Sequence, residues 1–458
     1  MSDGYEGDFD EEARDAADAV YAALLERVGE AAPERRLGAT RRAVELLGDP
    51  HRAAPVIHLT GTNGKTSTSR MIASVLGAYG LRTGMLTSPH LERFTERILI
   101  DGEPIADEAI ARNWSEIEPY LAIVDAELEG SGEPPLTFFE TMTVLAFACF
   151  ADAPVDVVVL EVGMGGEWDS TNVADGQVAV ITPIDLDHQS KLGSTVAEIA
   201  RTKAGIIKPA SSVVTAAQQP EALAELRRAA ELTESSLAVE GEGFAVLERR
   251  PAVGGQLVSV RGLAGEYHDL VLPLFGAHQA QNAAVAIAAV EAFLGGGSTA
   301  LSEDALRDGL AAASSPGRLQ RIGQQPTILV DAAHNPHGAR ALVAALGESF
   351  DFDELVVVFG VLGDKDAAGI ARELAATGAG FIVTRPDSDR AQPAETLAAV
   401  VAGAVGPERV QLAERLDDAL ELAREWAGED ERRAVLVAGS IVLVGEAMAI
   451  ADDRGWLA

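Results

Sequence analysis

The chain has 458 residues, of which 47% are hydrophobic, and its formal net charge at pH 7 is −35. A chain of this length is too long to fold around one typical hydrophobic core, which predicts two or three domains. No apolar run in the sequence is long enough to span a bilayer. The excess of 71 acidic over 36 basic residues disfavours a nucleic-acid partner, whose phosphates would be repelled.

The first segment, MSDGYEGDFDEEARDAAD, is acidic and polar, which argues against a signal peptide and predicts a frayed start. Residues 10–50 are predicted to be helical, with a turn at Gly48-Asp49-Pro50. Cys149 is the single cysteine, so an internal disulfide cannot form. Together these features predict a cytoplasmic protein, and we expect no membrane partner.

The acidic balance predicts a solvated surface suited to high salt, a halophilic trait, because screening removes the self-repulsion. Only five of the basic residues are lysines: Lys65, Lys191, Lys203, Lys208 and Lys365. GC-biased coding also replaces lysine by arginine, but it does not explain where the remaining lysines lie. We therefore expect lysine mainly where a compact, tunable ammonium is needed.

A glycine-rich turn follows the first predicted strand. Residues 54–60 form an apolar run typical of a buried strand, and residues 65–79 predict a helix with Gly80 at its C-terminal cap. A turn of this kind directs backbone N–H groups at an anion, with the helix N-terminus behind them. The turn is shorter than the usual P-loop pattern, because Leu59 stands where its first glycine would be. The predicted nucleoside triphosphate site comprises Gly61, Thr62, Asn63, Gly64, Lys65, Thr66 and Ser67.

Strands and helices then alternate to about residue 297. Strands are predicted at 83–88, 155–163, 177–184 and 211–216, and helices at 105–129, 137–151, 195–207 and 278–294. Residues 235–275 show β-type alternation with turn glycines, which predicts an antiparallel flank. The flexible GGGST stretch after the last helix places the domain boundary near residue 297.

The second domain, 298–458, alternates strands and helices again. Its predicted strands are TILVDAA, LVVVFGV, GFIVTRP and AVLVAGS. The fold class is therefore α/β: a P-loop-type, mainly parallel sheet domain at 1–297 with a helical lead-in, followed by a smaller Rossmann-like domain.

Acidic residues follow the buried strands of the first domain. Glu161 ends the run VVVLE, which resembles a Walker B arrangement that holds Mg²⁺ near a nucleotide. Asp185-Leu186-Asp187-His188 follows another strand, and His188 either serves a metal or has a structural role. Lys203 and Lys208 lie at a helix end, where lysines commonly complement the dipole; we expect Lys203 to be functional.

Polar residues also follow the first strand of the second domain. Ser315-Pro316-Gly317-Arg318 precedes it, and Asp331 and His334 follow it, which suits ribose and phosphate contacts. Asn335 with Pro336 is equally a good helix cap, and both roles can hold together.

These motifs together resemble the Mur-ligase superfamily and, within it, folylpolyglutamate synthase/dihydrofolate synthase. The similarity runs from about residue 36 to residue 446, and GTNGKTS is shared across the superfamily. The motifs more specific to the folate branch are TSPH with ERI, LTFFE, and EVGMGG followed by DSTNV. The series is completed, in matching order, by DLDH, Leu192-Gly193, KAGIIK, HQAQNA, PGRL, DAAHNPHG, LGDKD and VLVGEA.

The resemblance implies a reaction and a set of residue roles. ATP phosphorylates a pteroyl carboxylate, and the amino group of L-glutamate then captures the acyl phosphate, with Lys65 and Mg²⁺ neutralising the charge. Lys203 matches a lysine that is carbamylated in the family, and Lys65, Lys203 and His188 are the expected catalytic residues. Two Mg²⁺ ions are implied, and K⁺ is a further candidate cofactor. The implied metal ligands are Ser67, Ser88, Glu161 and His188; further ATP contacts are Asn282, Arg318, Asp331 and His334; substrate contacts are Thr137, Phe138, Glu140 and Asp169.

Two departures from the family pattern bear on the site. The family has GKGS where this chain has GKTS, so either Thr66 or Ser67 can be the metal-binding hydroxyl. The family has Arg-Leu after EVGxGG, whereas this chain has Glu167-Trp168, which leaves a different acid acceptor open. A further alternative is an inactive nucleotide-binding regulator. The sequence predicts a monomer whose partners are pteroate or folate, L-glutamate and ATP.

Overall fold

The computed structural model describes residues 3–29 and 33–457, which form two compact units. The first unit contains the chain up to Val246, Val260–His268 and Asn282–Ala313. The second contains Leu247–Ser259, Asp269–Gln281 and the chain from Ser314 onward. The first unit thus extends to Ala313, and the domain boundary near residue 297 stays a prediction.

Ten α-helices and eleven strands are described up to Ala313. The helices are α1 (Asp3–Leu25), α2 (Gly38–Leu46), α3 (Lys65–Ala78), α4 (Asp107–Ser131), α5 (Phe138–Asp152), α6 (Gln189–Leu192), α7 (Val196–Ala204), α8 (Pro220–Leu232), α9 (Ala277–Gly295) and α10 (Glu303–Ala311). The strands are β1 (Val56–Thr60), β2 (Thr83–Leu86), β3 (Ile98–Ile100), β4 (Glu103–Pro104), β5 (Val157–Glu161), β6 (Gly176–Ile181), β7 (Ser212–Thr215), β8 (Ser236–Val239), β9 (Ala245–Ala252), β10 (Gly255–Arg261) and β11 (Glu266–Leu272).

The large sheet of the first unit has eight strands in the order β4-β3-β2-β5-β1-β6-β7-β8. The six strands β2-β5-β1-β6-β7-β8 are parallel to their neighbours. At the other edge, β3 pairs antiparallel with β2, and β4 pairs antiparallel with β3. Strands β1 and β5 are buried along their whole length because helices cover both faces. Leu59 pairs with Glu161, so the turn after β1 and the end of β5 meet at one edge of the sheet. The predicted parallel-sheet domain is confirmed.

The predicted antiparallel flank at 235–275 is only partly correct. Strand β8 instead joins the large sheet parallel to β7. The remaining strands form a separate three-stranded sheet in the order β11-β10-β9. The turns between these strands are too short for a parallel crossover, so neighbouring strands run antiparallel. A four-residue strand such as β8 carries too little alternation to reveal its partner.

Helix α1 packs against α4 and α5 in the core of the first unit. Ala17, Val20 and Leu24 are buried on α1 in the same cluster as Trp114 and Phe138. The ring of Tyr21 stacks on Phe94, with centroids 5.0 Å apart. Helix α1 begins at Asp3, and residues 1–2 lie outside the described residues, so the frayed start stays a prediction. Residues 30–32, inside the segment predicted helical, lie outside the described residues.

The second unit holds a six-stranded sheet in the order β12-β13-β17-β14-β15-β16. All its neighbours are parallel except the edge pair β12–β13, which confirms a Rossmann-like α/β domain. Strands β12 and β16 were not predicted, since four and three residues give no periodic signal. The strands are β12 (Gln320–Gly323), β13 (Thr327–Asp331), β14 (Glu354–Phe359), β15 (Gly380–Val383), β16 (Val410–Leu412) and β17 (Arg433–Ala438); the helices are α11 (Pro336–Ser349), α12 (Ala367–Leu374), α13 (Ala394–Val405), α14 (Leu416–Ala427) and α15 (Ile441–Asp453).

Long apolar helices of the membrane-spanning kind do not occur in residues 3–29 or 33–457.

Candidate functional site

The turn after β1 is tied to the end of β6. Thr62 donates its backbone N–H to Pro183 O at 2.9 Å, and its hydroxyl donates to Asp185 O at 3.0 Å. The backbone N–H of Asp185 returns a hydrogen bond to the Thr62 hydroxyl at 3.0 Å. The predicted phosphate loop and the predicted DLDH loop are therefore joined at the carboxyl edge of the sheet.

Gly64 is the N-cap residue of α3 and has a left-handed conformation, with φ of 85°. A Cβ at this position would stand 2.6 Å from Oδ1 of Asn282, so only glycine fits. Asn282 is buried on α9 and belongs to the same unit. The structure thus brings one of the predicted ATP-contacting residues against the phosphate loop.

Two lysine ammonium groups meet at the carbonyl of Gly61. Nζ of Lys203 lies 2.7 Å from this oxygen, and Nζ of Lys65 lies 3.4 Å from it. Lys203 is only 4% exposed. Its pKa is lowered to about 7, first by burial of the ammonium and then by the positive charge of Lys65. Near neutral pH a substantial fraction of this amine is therefore uncharged and nucleophilic.

The carboxylate of Glu161 stands at the end of β5 with an exposed fraction of 1%. Thr66 donates its hydroxyl to this carboxylate at 3.0 and 3.1 Å, and Thr87 donates at 2.6 Å. Thr66 therefore contacts Glu161 directly, while Ser67 is buried one residue later on α3. Thr87 begins the TSPH motif but was assigned no role from sequence, because its partner lies on another strand.

His188 lies in a left-handed conformation, with φ of 48°, just before α6. Its backbone N–H donates to Oδ1 of Asp187 at 2.8 Å, and Nε2 of its ring lies 4.0 Å from the same oxygen. The carboxylate of Asp187 thus helps to orient His188. Sequence analysis did not assign this contact.

A cluster of three or more His, Cys, Asp or Glu side chains suited to a metal ion does not occur in the described parts of the chain. The predicted ligand set contains one carboxylate, from Glu161, one imidazole, from His188, and the hydroxyls of Ser67 and Ser88. Mg²⁺ in nucleotide sites takes few protein oxygens together with phosphates and water. The buried carboxylate of Glu161 with hydroxyls beside it fits that requirement.

The residues expected to face a substrate are bound to their own loops. Thr137 and Glu140 form a capping box at the start of α5, and the guanidinium of Arg97 lies 5.1 Å from the centre of the Phe138 ring. Asp169 accepts hydrogen bonds from Met164 N at 2.9 Å and Thr171 N at 3.0 Å. Burial raises the pKa of Asp169. Their contact with a substrate stays a prediction.

The predicted polar residues of the second unit lie around the end of β13. Asp331 accepts from Leu319 N and Ala333 N, both at 2.8 Å, and burial raises its pKa. Nδ1 of His334 lies 2.9 Å from Ala332 O, which favours the tautomer with the proton on Nδ1.

Helix α11 begins as predicted. Asn335 caps it by accepting from Gly338 N at 2.8 Å, and Pro336 occupies the first turn. The predicted helix cap is confirmed. Arg318 lies in the turn before β12, in the same unit.

Comparisons with known proteins cover nearly the whole chain. Residues 59–290 match the Mur ligase middle domain, and residues 317–441 match the Mur ligase glutamate ligase domain. The dihydrofolate synthase/folylpolyglutamate synthase of Mycobacterium tuberculosis is 46% identical over 425 residues, covering 88% of this chain and 87% of that protein. The chain belongs to the folylpolyglutamate synthase/dihydrofolate synthase family of Mur ligases.

Solved structures of the family agree with the fold. The Mycobacterium tuberculosis folylpolyglutamate synthase, complexed with ADP and AMPPCP, has a TM-score of 0.91 and 44% identity, covering 96% of this chain and 99% of that one. The Escherichia coli protein FolC, complexed with DHPP and ADP, has a TM-score of 0.83 and 31% identity, covering 95% and 98%. The family resemblance and the α/β class expected from the motifs are both confirmed.

Proposed function

We propose that this protein is an ATP-dependent ligase that forms an amide between a pteroyl carboxylate and L-glutamate. It acts as dihydrofolate synthase, folylpolyglutamate synthase or both. The observation that carries this proposal is the pair of amines, Lys65 and Lys203, on the Gly61 carbonyl of the phosphate loop. The retention of Lys65 and Lys203 together argues against a regulator that only binds nucleotide.

The chemistry follows from the groups on and behind the phosphate loop. Backbone N–H groups of the loop and the N-terminus of α3 bind the triphosphate, and Lys65 neutralises its charge. A carboxylate oxygen attacks the γ-phosphorus, the bond to the ADP oxygen breaks, and an acyl phosphate forms. The glutamate amine then attacks the acyl carbon, phosphate leaves with the C–O bonding electrons, and the amine loses a proton.

Ser67, Ser88, Glu161 and His188 are the proposed Mg²⁺ ligands. When bound, Mg²⁺ supplies positive charge at the transferring phosphoryl group. The chain's own contribution is to fix the carboxylate of Glu161 by the hydroxyls of Thr66 and Thr87. Whether a second Mg²⁺ or K⁺ is needed stays a prediction, best tested by titrating each ion into metal-free enzyme.

Lys203 is proposed to carry a carbamate. The ammonium first loses one proton; the neutral amine then attacks CO₂, a C–N bond forms, and a second proton is released, so that a cation becomes an anion overall. The lowered pKa and deep burial of Lys203 favour the neutral amine that this step requires. The product would remove the repulsion from Lys65 at the Gly61 carbonyl.

The remaining site residues are proposed by position in the motifs. The residues assigned to ATP are Asn282, Arg318, Asp331 and His334, and those assigned to the pteroyl substrate are Thr137, Phe138, Glu140 and Asp169. Of the residues assigned to ATP, Asn282 lies against Gly64 of the phosphate loop. Glu167 and Trp168 replace the family's Arg-Leu, so the alternative to a pteroyl acceptor is a different acid.

The cellular setting is proposed from composition. Cys149 is a free, buried thiol, which suits the reducing cytoplasm. The net charge of −35 suits an enzyme that works as a monomer in concentrated salt. Activity that increases with KCl would support this, and activity that only falls would contradict it.

A parallel assay tests the function. Purified protein with ATP, Mg²⁺ and labelled glutamate in high salt is offered dihydropteroate in one reaction and tetrahydrofolate in the other. We expect glutamate-dependent phosphate release and label in the pteroyl product with at least one acceptor. Phosphate release that glutamate does not stimulate, or nucleotide binding alone, would instead favour a regulator.

A further inference from the structure

Arg36, just before α2, makes a bidentate ion pair with Glu140 near the start of α5. Nε lies 2.9 Å from Oε1 of Glu140, and Nη2 lies 3.0 Å from Oε2. The side chains are 13% and 5% exposed, respectively. A planar guanidinium facing both oxygens of a carboxylate fixes orientation as well as distance. The pair joins segments that are 104 residues apart in sequence.

The same guanidinium also holds the loop that leads into α5, residues 133–137, here called the entry loop. Nη1 donates to Pro134 O at 2.9 Å, and Nη2 donates to Pro135 O at 3.0 Å. Nη1 further contacts Oε2 of Glu133 at 3.3 Å. Proline has no backbone N–H to donate, so the carbonyl oxygen is the only backbone hydrogen-bonding group of each of these two residues.

Arg27 continues the pattern at the next carbonyl. Its Nη1 donates to Leu136 O at 2.9 Å, and its Nη2 pairs with Oδ2 of Asp125 at 3.0 Å. Phe138 N donates to Val28 O at 2.9 Å. Three successive carbonyls of the entry loop are therefore held by two arginines that lie within the connection between α1 and α2.

Glu140 transmits this restraint to the start of α5. Besides the pair with Arg36, Oε2 of Glu140 accepts from Thr137 N at 2.8 Å. The ring of Phe139 in turn lies 2.5 Å from where a Cβ on Gly163 would stand, so Phe139 touches the EVGMGG loop that follows Glu161. A shift of Glu140 would thus move the LTFFE motif and its neighbour together.

We propose that Arg36 is a positioning residue for the acceptor half of the reaction, holding the entry loop and the LTFFE motif in the geometry that receives the pteroyl group. This rests on the proposed function, because the LTFFE residues are assigned to that substrate. Arg36 acts through Glu140 and the Pro134 and Pro135 carbonyls and does not touch the phosphate loop. Its loss should therefore separate acceptor binding from nucleotide binding.

The test compares Arg36→Ala and Arg36→Lys with Arg42→Ala as the matched control. Arg42 lies on α2 and makes an equally regular pair with Glu127, at 2.9 Å for both contacts, but both side chains are exposed. For each variant, KM for the pteroyl substrate, KM for ATP and kcat are measured, together with hydrogen exchange of the peptide spanning the entry loop.

For Arg36→Ala we expect KM for the pteroyl substrate to rise about tenfold, with KM for ATP changed by less than about twofold. Arg36→Lys should show a smaller rise in KM for the pteroyl substrate, since an ammonium keeps the positive charge but cannot make the bidentate contact of a guanidinium. Amide exchange in the entry loop should increase in both variants. Arg42→Ala should match the wild type in all these measurements.

A purely structural role predicts another pattern: lower kcat with both KM values unchanged, and a loss of thermal stability. That pattern, or equal rises in both KM values, overturns the proposal. If Arg36→Ala does not fold, the KM ratio and exchange data of Arg36→Lys decide by the same criteria. A wild-type protein without glutamate-dependent turnover would instead refute the proposed function, while leaving the exchange comparison to judge the Arg36 restraint.

Discussion

Both units place a buried carboxylate at the end of a parallel strand, but the two carboxylates are held differently. Glu161 of the first unit accepts hydrogen bonds from the side-chain hydroxyls of Thr66 and Thr87. Asp331 of the second unit accepts from the backbone N–H groups of Leu319 and Ala333. The same position in the same architecture is therefore built once from side chains and once from main chain.

This difference decides what each carboxylate can do. A hydroxyl can rotate and accept where it previously donated, so Glu161 can exchange its partners for a cation without moving the backbone. The N–H groups on Asp331 have fixed directions, so this carboxylate holds in place the loop that carries the proposed ATP contacts. We infer that the first unit carries the reacting charges, whereas the second supplies a rigid binding surface.

The largest test of that contrast is Lys203→Ala. We expect turnover to fall by more than about a thousandfold, because a charged group beside the transferring phosphoryl is lost. ADP affinity, measured by calorimetry, should change by less than about threefold. The control is Lys208→Ala: this lysine donates to Asn172 O at 2.9 Å, and its loss should affect stability far more than turnover. Full activity in Lys203→Ala would remove the carbamate proposal.

The two carboxylates can be compared directly by neutral substitutions. Glu161→Gln should lower kcat about a hundredfold and weaken the response to Mg²⁺. Asp331→Asn should retain kcat within about threefold but raise KM for ATP, because one backbone N–H loses its acceptor. Steady-state kinetics at several Mg²⁺ concentrations measure both. Equal losses of kcat in the two variants would contradict the division of roles between the units.

The buried amine of the first unit should also appear in the pH dependence of stability. Lys203 has a pKa of about 7 in the folded protein, against an ordinary value of 10.5. Between these values the unfolded chain binds a proton that the folded protein does not, so the free energy of unfolding rises with pH. Below pH 7 both states are protonated, and the cost of the buried charge is fully present.

Lys203→Met removes this titration. In CO₂-free buffer, we expect the wild type to gain about 2 kcal/mol more than the variant between about pH 7.5 and pH 9.5. Urea unfolding at the two pH values measures the difference. Parallel curves for the two proteins would show that Lys203 does not titrate in this range.

The smallest effects should come from the helix caps. Asn335→Ala in the second unit should lower the free energy of unfolding by about 1 kcal/mol, because Gly338 N loses its acceptor. Thr137→Ala in the first unit should have a similar effect on stability and also raise KM for the pteroyl substrate. An increase in KM for the pteroyl substrate in Asn335→Ala but not in Thr137→Ala would contradict the proposed roles of the two caps.

The sequence was most informative where periodicity and chain order coincide. Strands β1 and β5 and helix α3 follow from apolar runs and a glycine turn, and the residues of the phosphate loop follow from the same pattern. Short strands such as β12 were not predicted, because whether three or four residues form a strand depends on packing against the neighbouring strands. Strand β8 was recognised as β-structure but assigned the wrong partner.

For the site, the residue types could be predicted from the sequence, but their contacts could not. Glu161 and Lys203 were identified, yet the hydroxyl of Thr87 on Glu161 depends on the pairing of β2 with β5. The pair between Arg36 and Glu140 likewise could not be predicted from sequence, since it joins segments 104 residues apart and depends on how the helices pack. Long-range contacts of this kind are set by tertiary packing and not by local pattern.

The most direct test of the account is isotope transfer from the acceptor to phosphate. The acceptor carboxylate is labelled with ¹⁸O, turnover is run with ATP and L-glutamate, and the phosphate released is analysed by mass spectrometry. Activation as an acyl phosphate predicts one ¹⁸O atom in each phosphate, since the carboxylate oxygen stays on phosphorus when the C–O bond breaks. Unlabelled phosphate accompanied by amide product would contradict the mechanism.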